Sequence, residues 1–351
     1  MEFNNFEELM YFAKKRECSD IHITVGTNLA IRRFGTLEIL EPAPSAELAT
    51  NMIYSILNEK QVAKVKEGND IDVGCMLRDG TRIRANVYYQ RNNLAASIRI
   101  LNEDIPTFEE LCLPSAIKDM AEKPRGLVLV TGPTGSGKST TLASMVDYIN
   151  KTTSKHILTI EDPIEYVYPH NKAMIHQREV GRDVQSFSTA LRSALREDPD
   201  IILVGEMRDF ETIQAAITAA ETGHLVLSTL HTTSAAQTVE RIMDACPIDA
   251  QNQVRSQFAN VIQGIFTQQL LPLADGTGRI VATEVLVANY AISNLIRENK
   301  TIQIPSMIQA GKREGMHTLN DDLYMLVRRD KVTKEEALKV APDPISLAKL
   351  L

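Results

Sequence analysis

The first hundred residues combine helical and strand patterns. Apolar side chains recur at helical spacing over residues 5–16 and 46–57. Runs typical of strands occupy residues 19–25, 30–34, 71–77, 81–90 and 95–101, with predicted turns at Gly35 and at Asp79-Gly80. The pattern predicts an α+β domain over residues 1–101, with helices on one side of a sheet.

The rest of the chain alternates buried strands with helices. Apolar runs typical of a parallel sheet lie at residues 126–131, 157–160, 201–204 and 225–230. Such alternation predicts a doubly wound α/β domain that binds its ligand at the carboxyl ends of the strands. Helical patterns at the end of the chain predict a helical tail. The predicted domains are therefore residues 1–101, a proline-containing linker 102–114, an α/β domain 115–299 and a helical region 300–351.

A glycine-rich segment follows the first of these strands directly and has the pattern GxxxxGK[ST]. Its residues are Gly132, Pro133, Thr134, Gly135, Ser136, Gly137, Lys138, Ser139 and Thr140. In this pattern backbone N–H groups surround the phosphates, the lysine neutralises them and the hydroxyl after it binds Mg²⁺. The alternative is an unliganded glycine-rich turn, but a strand before and a helix after favour a site for ATP or GTP.

Polar residues follow the other predicted strands. Glu161 comes after the second strand and Glu206 after the third, while His224 and His231 flank the fourth. Each acid alone is equally well explained as the N-cap of the next helix. ATP hydrolysis requires one carboxylate on Mg²⁺, usually through water, and another that polarises the attacking water. The two glutamates are candidates for these roles.

Composition and charge narrow the possible functions. The chain has 351 residues, 44% of them hydrophobic, and a net charge of -7. The acidic balance argues against a protein that mainly grips nucleic acid. The four cysteines form no CxxC pair, which argues against a structural zinc site or a disulfide framework. With no basic and apolar leader and no apolar run long enough to span a bilayer, we expect a cytoplasmic protein.

Four motifs in order resemble those of secretion ATPases. The phosphate loop, TIEDPIE at residues 159–165, REDPDIILVGEMRD at 196–209 and AAETGHLVLSTLHTTSA at 219–235 are similar to the Walker A, Asp box, Walker B and His box of that superfamily. From Ser19 onward the chain most resembles the type IV pilus retraction ATPases. The resemblance implies a homohexamer of subunits with an N-terminal PAS-like domain and a RecA-like ATPase domain, with ATP between the two domains.

The resemblance also implies a role for each matching residue. Lys138 and Ser139 would hold the nucleotide and Mg²⁺, and Glu206 would take the Walker B role on the metal. Glu161 would be the base that activates water. His231 would be the sensor of the His box, with His224 as its companion.

Arginines complete this implied site. Arg84 and Arg99 match the family's arginine fingers, with Arg82 as a neighbouring candidate, and these would reach the nucleotide of an adjacent subunit. Arg279 is similar to a family residue that approaches the nucleotide. A guanidinium there would neutralise the charge that develops on the phosphate. The alternative is that these are ordinary solvated residues of a strand.

One short run favours retraction over assembly. AISNLIRE at residues 291–298 resembles the AIRNLIRE signature of retraction ATPases, with Ser293 in place of an arginine. The chain also lacks the tetracysteine module typical of assembly ATPases. The resemblance then implies a motor at the cytoplasmic face of the inner membrane, docked on the pilus platform protein. Alternatives are an accessory paralogue, an assembly ATPase, a nucleotide-binding regulator and a nucleic-acid translocase.

Overall fold

The computed structural model describes residues 3–33, 36–101 and 104–351. The chain divides into two compact units, Met1–Asp104 and Ile105–Leu351. The predicted turn at Gly35 and the first two linker residues, Asn102 and Glu103, lie outside the described residues. In the ranges described, no helix is both long and apolar enough to cross a bilayer.

The first unit is one antiparallel sheet with helices packed on one face. Its strands are β1 (Cys18–Thr24), β2 (Leu29–Arg33), β3 (Thr36–Leu40), β4 (Ile71–Met76), β5 (Arg82–Gln90) and β6 (Asn93–Ile100). Its helices are α1 (Phe6–Lys15), α2 (Ala46–Tyr54) and α3 (Glu59–Lys66). The strand order is β3-β2-β1-β6-β5-β4. Alternate strand residues and the apolar stripes of the helices form the core between them.

The second unit contains a seven-stranded sheet. Its strands are β7 (Gly126–Thr131), β8 (His156–Glu161), β9 (Met174–Glu179), β10 (Ile201–Val204), β11 (Leu225–Leu230), β12 (Ile262–Pro272) and β13 (Arg279–Val287). Their order is β13-β12-β7-β11-β10-β8-β9. All neighbours are parallel except β12 and β13, which form an antiparallel pair.

Helices cover both faces of this sheet, as predicted for a doubly wound domain. They are α4 (Ala116–Ala121), α5 (Lys138–Thr152), α6 (Phe187–Ala194), α7 (Phe210–Glu221), α8 (Ala235–Asp244), α9 (Gln251–Val261), α10 (Tyr290–Arg297), α11 (Ile304–Ala310), α12 (Leu319–Arg328), α13 (Lys334–Val340) and α14 (Pro344–Leu350). One core lies under α4 and α5, and a second lies under α6 to α11. The last three helices pack on β12 and β13 around a smaller cluster. The predicted fold class is confirmed.

The predicted linker is only partly a connection between units. Its residues from Ile105 onward belong to the second unit. Phe108 packs in the core under α4 and α5, and the carbonyl of Pro106 accepts a hydrogen bond of 2.6 Å from the Ser144 hydroxyl on α5. Proline and acidic residues predicted a linker here, but an apolar residue of the segment, Phe108, packs in the core of the second unit.

Strand register brings the candidate residues to one edge of the sheet. Val204 at the end of β10 pairs with Ile160 of β8 and with Ser228 of β11. Thr131 at the end of β7 pairs with Leu230 of β11. Because these strands are parallel, the segments that follow them leave the sheet side by side. This edge is called the carboxyl edge below, and β12 continues past it from Gln268 to Pro272.

Gly126, which begins β7, cannot carry a side chain without strain. Its φ is 116°, and a Cβ there would lie 2.5 Å from Cγ of Gln263 and 2.7 Å from the carbonyl oxygen of Val261. We expect Gly126→Ala to destabilise the second unit, because it combines an unfavourable φ with overpacking against backbone. The measurement is the free energy of unfolding in urea, followed by circular dichroism.

Gly223→Ala is the matched control. Gly223 has a φ of 109°, but nothing lies within 4 Å of the position of its Cβ. Both variants bear the backbone strain, so their difference isolates the clash. We expect Gly126→Ala to be less stable than the control by about 1–3 kcal/mol. Equal stability of the two variants would contradict the close packing of β7 against β12.

Candidate functional site

The glycine-rich loop begins at Gly132, where close contact with the backbone of β12 leaves no room for a side chain. Gly132 has a φ of 141°, and a Cβ there would lie 2.3 Å from the carbonyl oxygen of Gln268 and 2.6 Å from Oγ of Ser136. The loop ends at Gly137, whose φ of 88° also favours glycine, and α5 starts at the next residue. Two glycines therefore fix where the loop leaves β7 and where it enters the helix.

Lys138 is buried inside this loop. Its Nζ donates hydrogen bonds to the carbonyl oxygens of Gly132, at 2.8 Å, and Pro133, at 2.9 Å. Burial lowers the pKa of the ammonium, while the negative charges of Glu206 and Glu165 raise it. The ammonium therefore lies where the GxxxxGK[ST] pattern places a phosphate, held by carbonyl groups of the loop itself.

Lys138, His231 and Glu206 form a continuous polar contact at the carboxyl edge. Nδ1 of His231 lies 3.4 Å from Nζ of Lys138, and its Nε2 lies 3.4 Å from Oε2 of Glu206. An ammonium only donates, so Nδ1 faces it as an acceptor and the proton on Nε2 points to the carboxylate. Glu206 also pairs with the guanidinium of Arg208. Three residues singled out in the sequence are thus neighbours.

Glu161, the last residue of β8, is enclosed at the same edge. Its Oε1 accepts hydrogen bonds from Oγ1 of Thr159, at 2.6 Å, and from Nε2 of Gln177, at 3.2 Å. Burial raises the pKa of this carboxyl to about 7, against the lowering effect of these hydrogen bonds. Near neutral pH the group therefore exists in both protonation states.

Two polar groups near the loop were missed in the sequence. Gln177 lies on β9, and its amide links Glu161 to the carbonyl of Tyr166, at 2.8 Å. The Tyr166 hydroxyl in turn lies 3.1 Å from Oγ1 of Thr140. The strand pattern gave no sign of β9, because this edge strand is mostly polar. An acid at the end of the neighbouring strand was the only signal in this region.

His224 lies at the opposite end of β11 from the carboxyl edge, and its role as companion of His231 stays a prediction. His224 precedes β11, and the next residue, Leu225, pairs with Gly126 at the start of β7. The six residues of β11 lie between the two histidines, which are therefore about 23 Å apart along the extended strand. Nδ1 of His224 lies 2.9 Å from the carbonyl oxygen of Ala219, so it closes the end of α7.

Arg84 and Arg99 lie in the first unit, directly opposite each other on β5 and β6. They alternate with buried residues, so both project from the sheet face that is opposite the helices. Nε of Arg99 is 3.0 Å from Oδ1 of Asp20 on β1. The pair forms a local concentration of positive charge, and its role as arginine fingers stays a prediction.

Arg279 lies beyond the carboxyl edge of the sheet, but away from the loop. It begins β13 opposite Pro272 and is exposed. Pro272 is four residues along β12 from Gln268, a distance of about 14 Å beyond the carboxyl edge. Its predicted approach to the nucleotide therefore also stays a prediction.

The remaining loop residues fit phosphate and Mg²⁺. Ser139, in the first turn of α5, is exposed, and Glu206 is the carboxylate whose charge raises the pKa of Lys138 most. One or two protein oxygens together with substrate phosphates are the usual ligands of Mg²⁺. Oγ of Ser136 is buried in the loop without a hydrogen-bond partner in the structure, so it is free to accept or donate a hydrogen bond when a phosphate binds. Across the described residues, no three His, Cys, Asp or Glu side chains are arranged to hold a metal by themselves.

Comparison with known proteins places this geometry in a family. The family model described as type II/IV secretion system protein matches residues 5–339. The type IV pilus retraction ATPase PilT of Pseudomonas aeruginosa is 46% identical over 338 residues, which cover 96% of this chain and 98% of that protein. The type IV pilus ATPase PilU of the same organism is 38% identical and covers 95% of this chain and 87% of its own length.

A solved structure agrees with these sequence relationships. A crystal structure of the pilus retraction motor PilT with bound ADP has a TM-score of 0.92 and 47% sequence identity. The match covers 99% of this chain and 100% of the other. The resemblance seen in the four motifs is confirmed over the whole length. The chain belongs to the type II/IV secretion system protein family and, within it, to the PilT-type ATPases.

Proposed function

We propose that this protein is the ATP-hydrolysing motor of type IV pilus retraction, and so of twitching motility. The observation that carries the proposal is the contact of Lys138, His231 and Glu206 beside a complete phosphate loop. A nucleotide-binding regulator would require the loop but not the carboxylates. The likeness to a pilus retraction ATPase over nearly the full length supports the biological role.

Nucleotide binding follows from charge and backbone geometry. The N–H groups of the loop and the positive N-terminal end of α5 favour the phosphates of ATP. Lys138 would exchange the carbonyl oxygens of Gly132 and Pro133 for phosphate oxygens. Ser139 and Glu206 would hold Mg²⁺, which neutralises phosphate charge when bound. Each interaction stabilises the additional negative charge that develops during phosphoryl transfer.

Hydrolysis requires a base for the attacking water, and we assign it to Glu161. A pKa of about 7 is close to neutral pH, and a general base is most effective when its pKa lies near the operating pH. His231 lies between Lys138 and Glu206, so loss of the γ-phosphate would change the groups that both of its nitrogens face. This position suits a sensor of the nucleotide state.

We further propose a homohexameric ring in which a neighbouring subunit completes each site. Arg84 and Arg99 are then the arginine fingers, since guanidinium groups supplied from another chain stabilise the transition state. Closure on ATP and release after hydrolysis would move the two domains of each subunit. By its kinship the ring would dock on the inner-membrane pilus platform protein, at the cytoplasmic face.

A second candidate is an accessory paralogue of the motor. It is favoured by Ser293, which replaces the arginine of the retraction signature. Ile292 and Ile296 of this run are fully buried on α10, so they serve the core, whereas Ser293 is half-buried. The identity of 46% to the retraction ATPase against 38% to PilU favours the principal motor.

Glu206→Gln separates a motor from a regulator. Loss of the carboxylate should lower kcat about 100-fold or more while ADP affinity changes little, because ADP contacts the loop and Lys138. In cells the same variant should leave long, unretracted pili, which fluorescence imaging of living cells measures. Glu221→Gln, at the end of α7, is the matched control and should behave as wild type. Normal turnover or normal retraction in Glu206→Gln would refute the assignment.

The raised pKa of Glu161 predicts a pH-dependent stability. Because the folded-state pKa, about 7, is above the unfolded value of a carboxyl, ionisation costs stability. The stabilising contribution of the protonated form is complete below about pH 4.5 and is lost as pH rises to about 7. The nucleotide-free wild type should therefore lose up to about 3 kcal/mol relative to Glu161→Gln over this range.

Urea unfolding of both proteins across this pH range measures the difference. All other titrating groups are common to the two chains and cancel. A difference that is constant with pH would show that Glu161 titrates as an ordinary surface carboxyl, and it would remove the argument for a base matched to neutral pH.

Mixed rings test whether Arg84 acts across a subunit boundary. Arg84→Ala and Glu206→Gln should each have little ATPase activity alone. In a ring of identical head-to-tail interfaces, mixing equal amounts should restore about a quarter of the sites, where an intact Glu206 meets an intact Arg84. Steady-state ATPase rates after subunit exchange measure the recovery.

Two controls define the outcome of this experiment. Arg91→Ala removes an exposed arginine from the turn after β5 and should keep wild-type activity. A mixture of Arg84→Ala with Arg99→Ala should stay inactive, because both arginines would come from the same subunit. The absence of recovery with Glu206→Gln, in rings shown to exchange subunits, would contradict the action of Arg84 in trans.

A further inference from the structure

Gln268 is a buried polar residue that the sequence motifs do not include. It lies on β12, one residue after Thr267, which pairs with Thr131 at the end of β7. The side chain is 2% exposed. A buried amide must be hydrogen-bonded or it destabilises the fold, so its partners define its role.

The amide of Gln268 joins the phosphate loop to the helix that follows it. Nε2 donates a hydrogen bond of 2.6 Å to the carbonyl oxygen of Ser136, in the loop. Oε1 accepts one of 3.0 Å from Oγ1 of Thr141, in the first turn of α5. The carbonyl of Ser136 can only accept, so the orientation of the amide is fixed.

Holding the Ser136 carbonyl also sets the next N–H group. In a trans peptide the C=O and the following N–H point in opposite directions. Since the Ser136 carbonyl faces Gln268, the N–H of Gly137 points away from β12, to the side where the loop receives the phosphates. The main-chain carbonyl of Gln268 meanwhile occupies the space next to Gly132, at the other end of the loop.

The strand that carries Gln268 is anchored through its neighbour at the edge of the sheet, β13. The cross-strand partner of Gln268 on β13 is Thr283. The N–H and the hydroxyl of Thr283 both donate to Oδ2 of Asp322 on α12, at 2.7 and 3.0 Å. The C-terminal helices therefore hold the strand pair that holds the loop.

We propose that Gln268 is a positioning residue that keeps the phosphate loop in its nucleotide-binding shape. The proposal rests on the nucleotide binding proposed above. Gln268 acts through the peptide between Ser136 and Gly137 rather than by touching the nucleotide. Its loss should weaken ground-state and transition-state binding alike, so KM should rise more than kcat falls.

ADP affinity, measured by isothermal titration calorimetry, and the KM and kcat for ATP test this role. Gln268→Met keeps the length of the side chain and removes both hydrogen bonds. We expect the Kd for ADP and the KM to rise at least about tenfold, with kcat changed less than about threefold. Gln269→Met, on the opposite face of the same strand, is the matched control and should match wild type.

A second variant keeps the test open if Gln268→Met does not fold. Glu at position 268 can donate to the Ser136 carbonyl only when protonated, so Gln268→Glu should regain ADP affinity relative to wild type as pH falls from about 8 to about 6. Thr141→Val should weaken binding by a smaller factor, and it should add little to Gln268→Met.

The outcomes separate this inference from the proposed function. Failure of the wild type to bind ADP would overturn the proposed nucleotide site and, with it, the positioning role of Gln268. A different result would overturn the inference alone: the wild type binds ADP, and folded Gln268→Met and Gln268→Glu bind ADP with an affinity within twofold of wild type.

Discussion

The burial of one ammonium group, that of Lys138, is the constraint on which the site depends. A buried charge must be compensated, and here two loop carbonyls, His231 and the charges of Glu206 and Glu165 surround it. A phosphate would replace the carbonyls with oxygens that carry a full negative charge. Nucleotide binding is therefore favoured by the same desolvation that makes the lysine costly to bury.

Strand direction explains why separate segments of sequence meet at this lysine. Parallel strands end at one edge, and the register of β7, β11, β10 and β8 leaves their exits side by side. Glu161, Glu206 and His231 are far apart in the chain and come together for this reason alone. The pattern of buried parallel strands made them candidates, and the family resemblance then assigned a role to each.

Site residues on strands that the sequence did not predict could not be identified from the sequence. Gln177 and Gln268 lie on β9 and β12, which were not predicted, and an uncharged amide carries no motif of its own. Their partners depend on which strands are neighbours. His224 flanks a recognised strand at its amino end, about 20 Å from the carboxyl edge, and only the family resemblance links it to His231.

Two regions outside the loop were interpreted less fully from the sequence, namely the arginines of the first unit and the C-terminal helices. Arg84 and Arg99 concentrate positive charge on the first unit, where only a family resemblance singled them out from other strand residues. The C-terminal helices were predicted as helices without a function. Their contact with Thr283, opposite Gln268, gives them a structural link to the phosphate loop.

A crystal structure of this protein with Mg²⁺ and a non-hydrolysable ATP analogue tests the central claim most directly. The account predicts that Nζ of Lys138 leaves the carbonyls of Gly132 and Pro133 for the β- and γ-phosphates, with Glu206 next to the metal and Ser136 satisfied by a phosphate oxygen. An analogue bound elsewhere, or a lysine that keeps its two carbonyl partners with nucleotide in place, would contradict it.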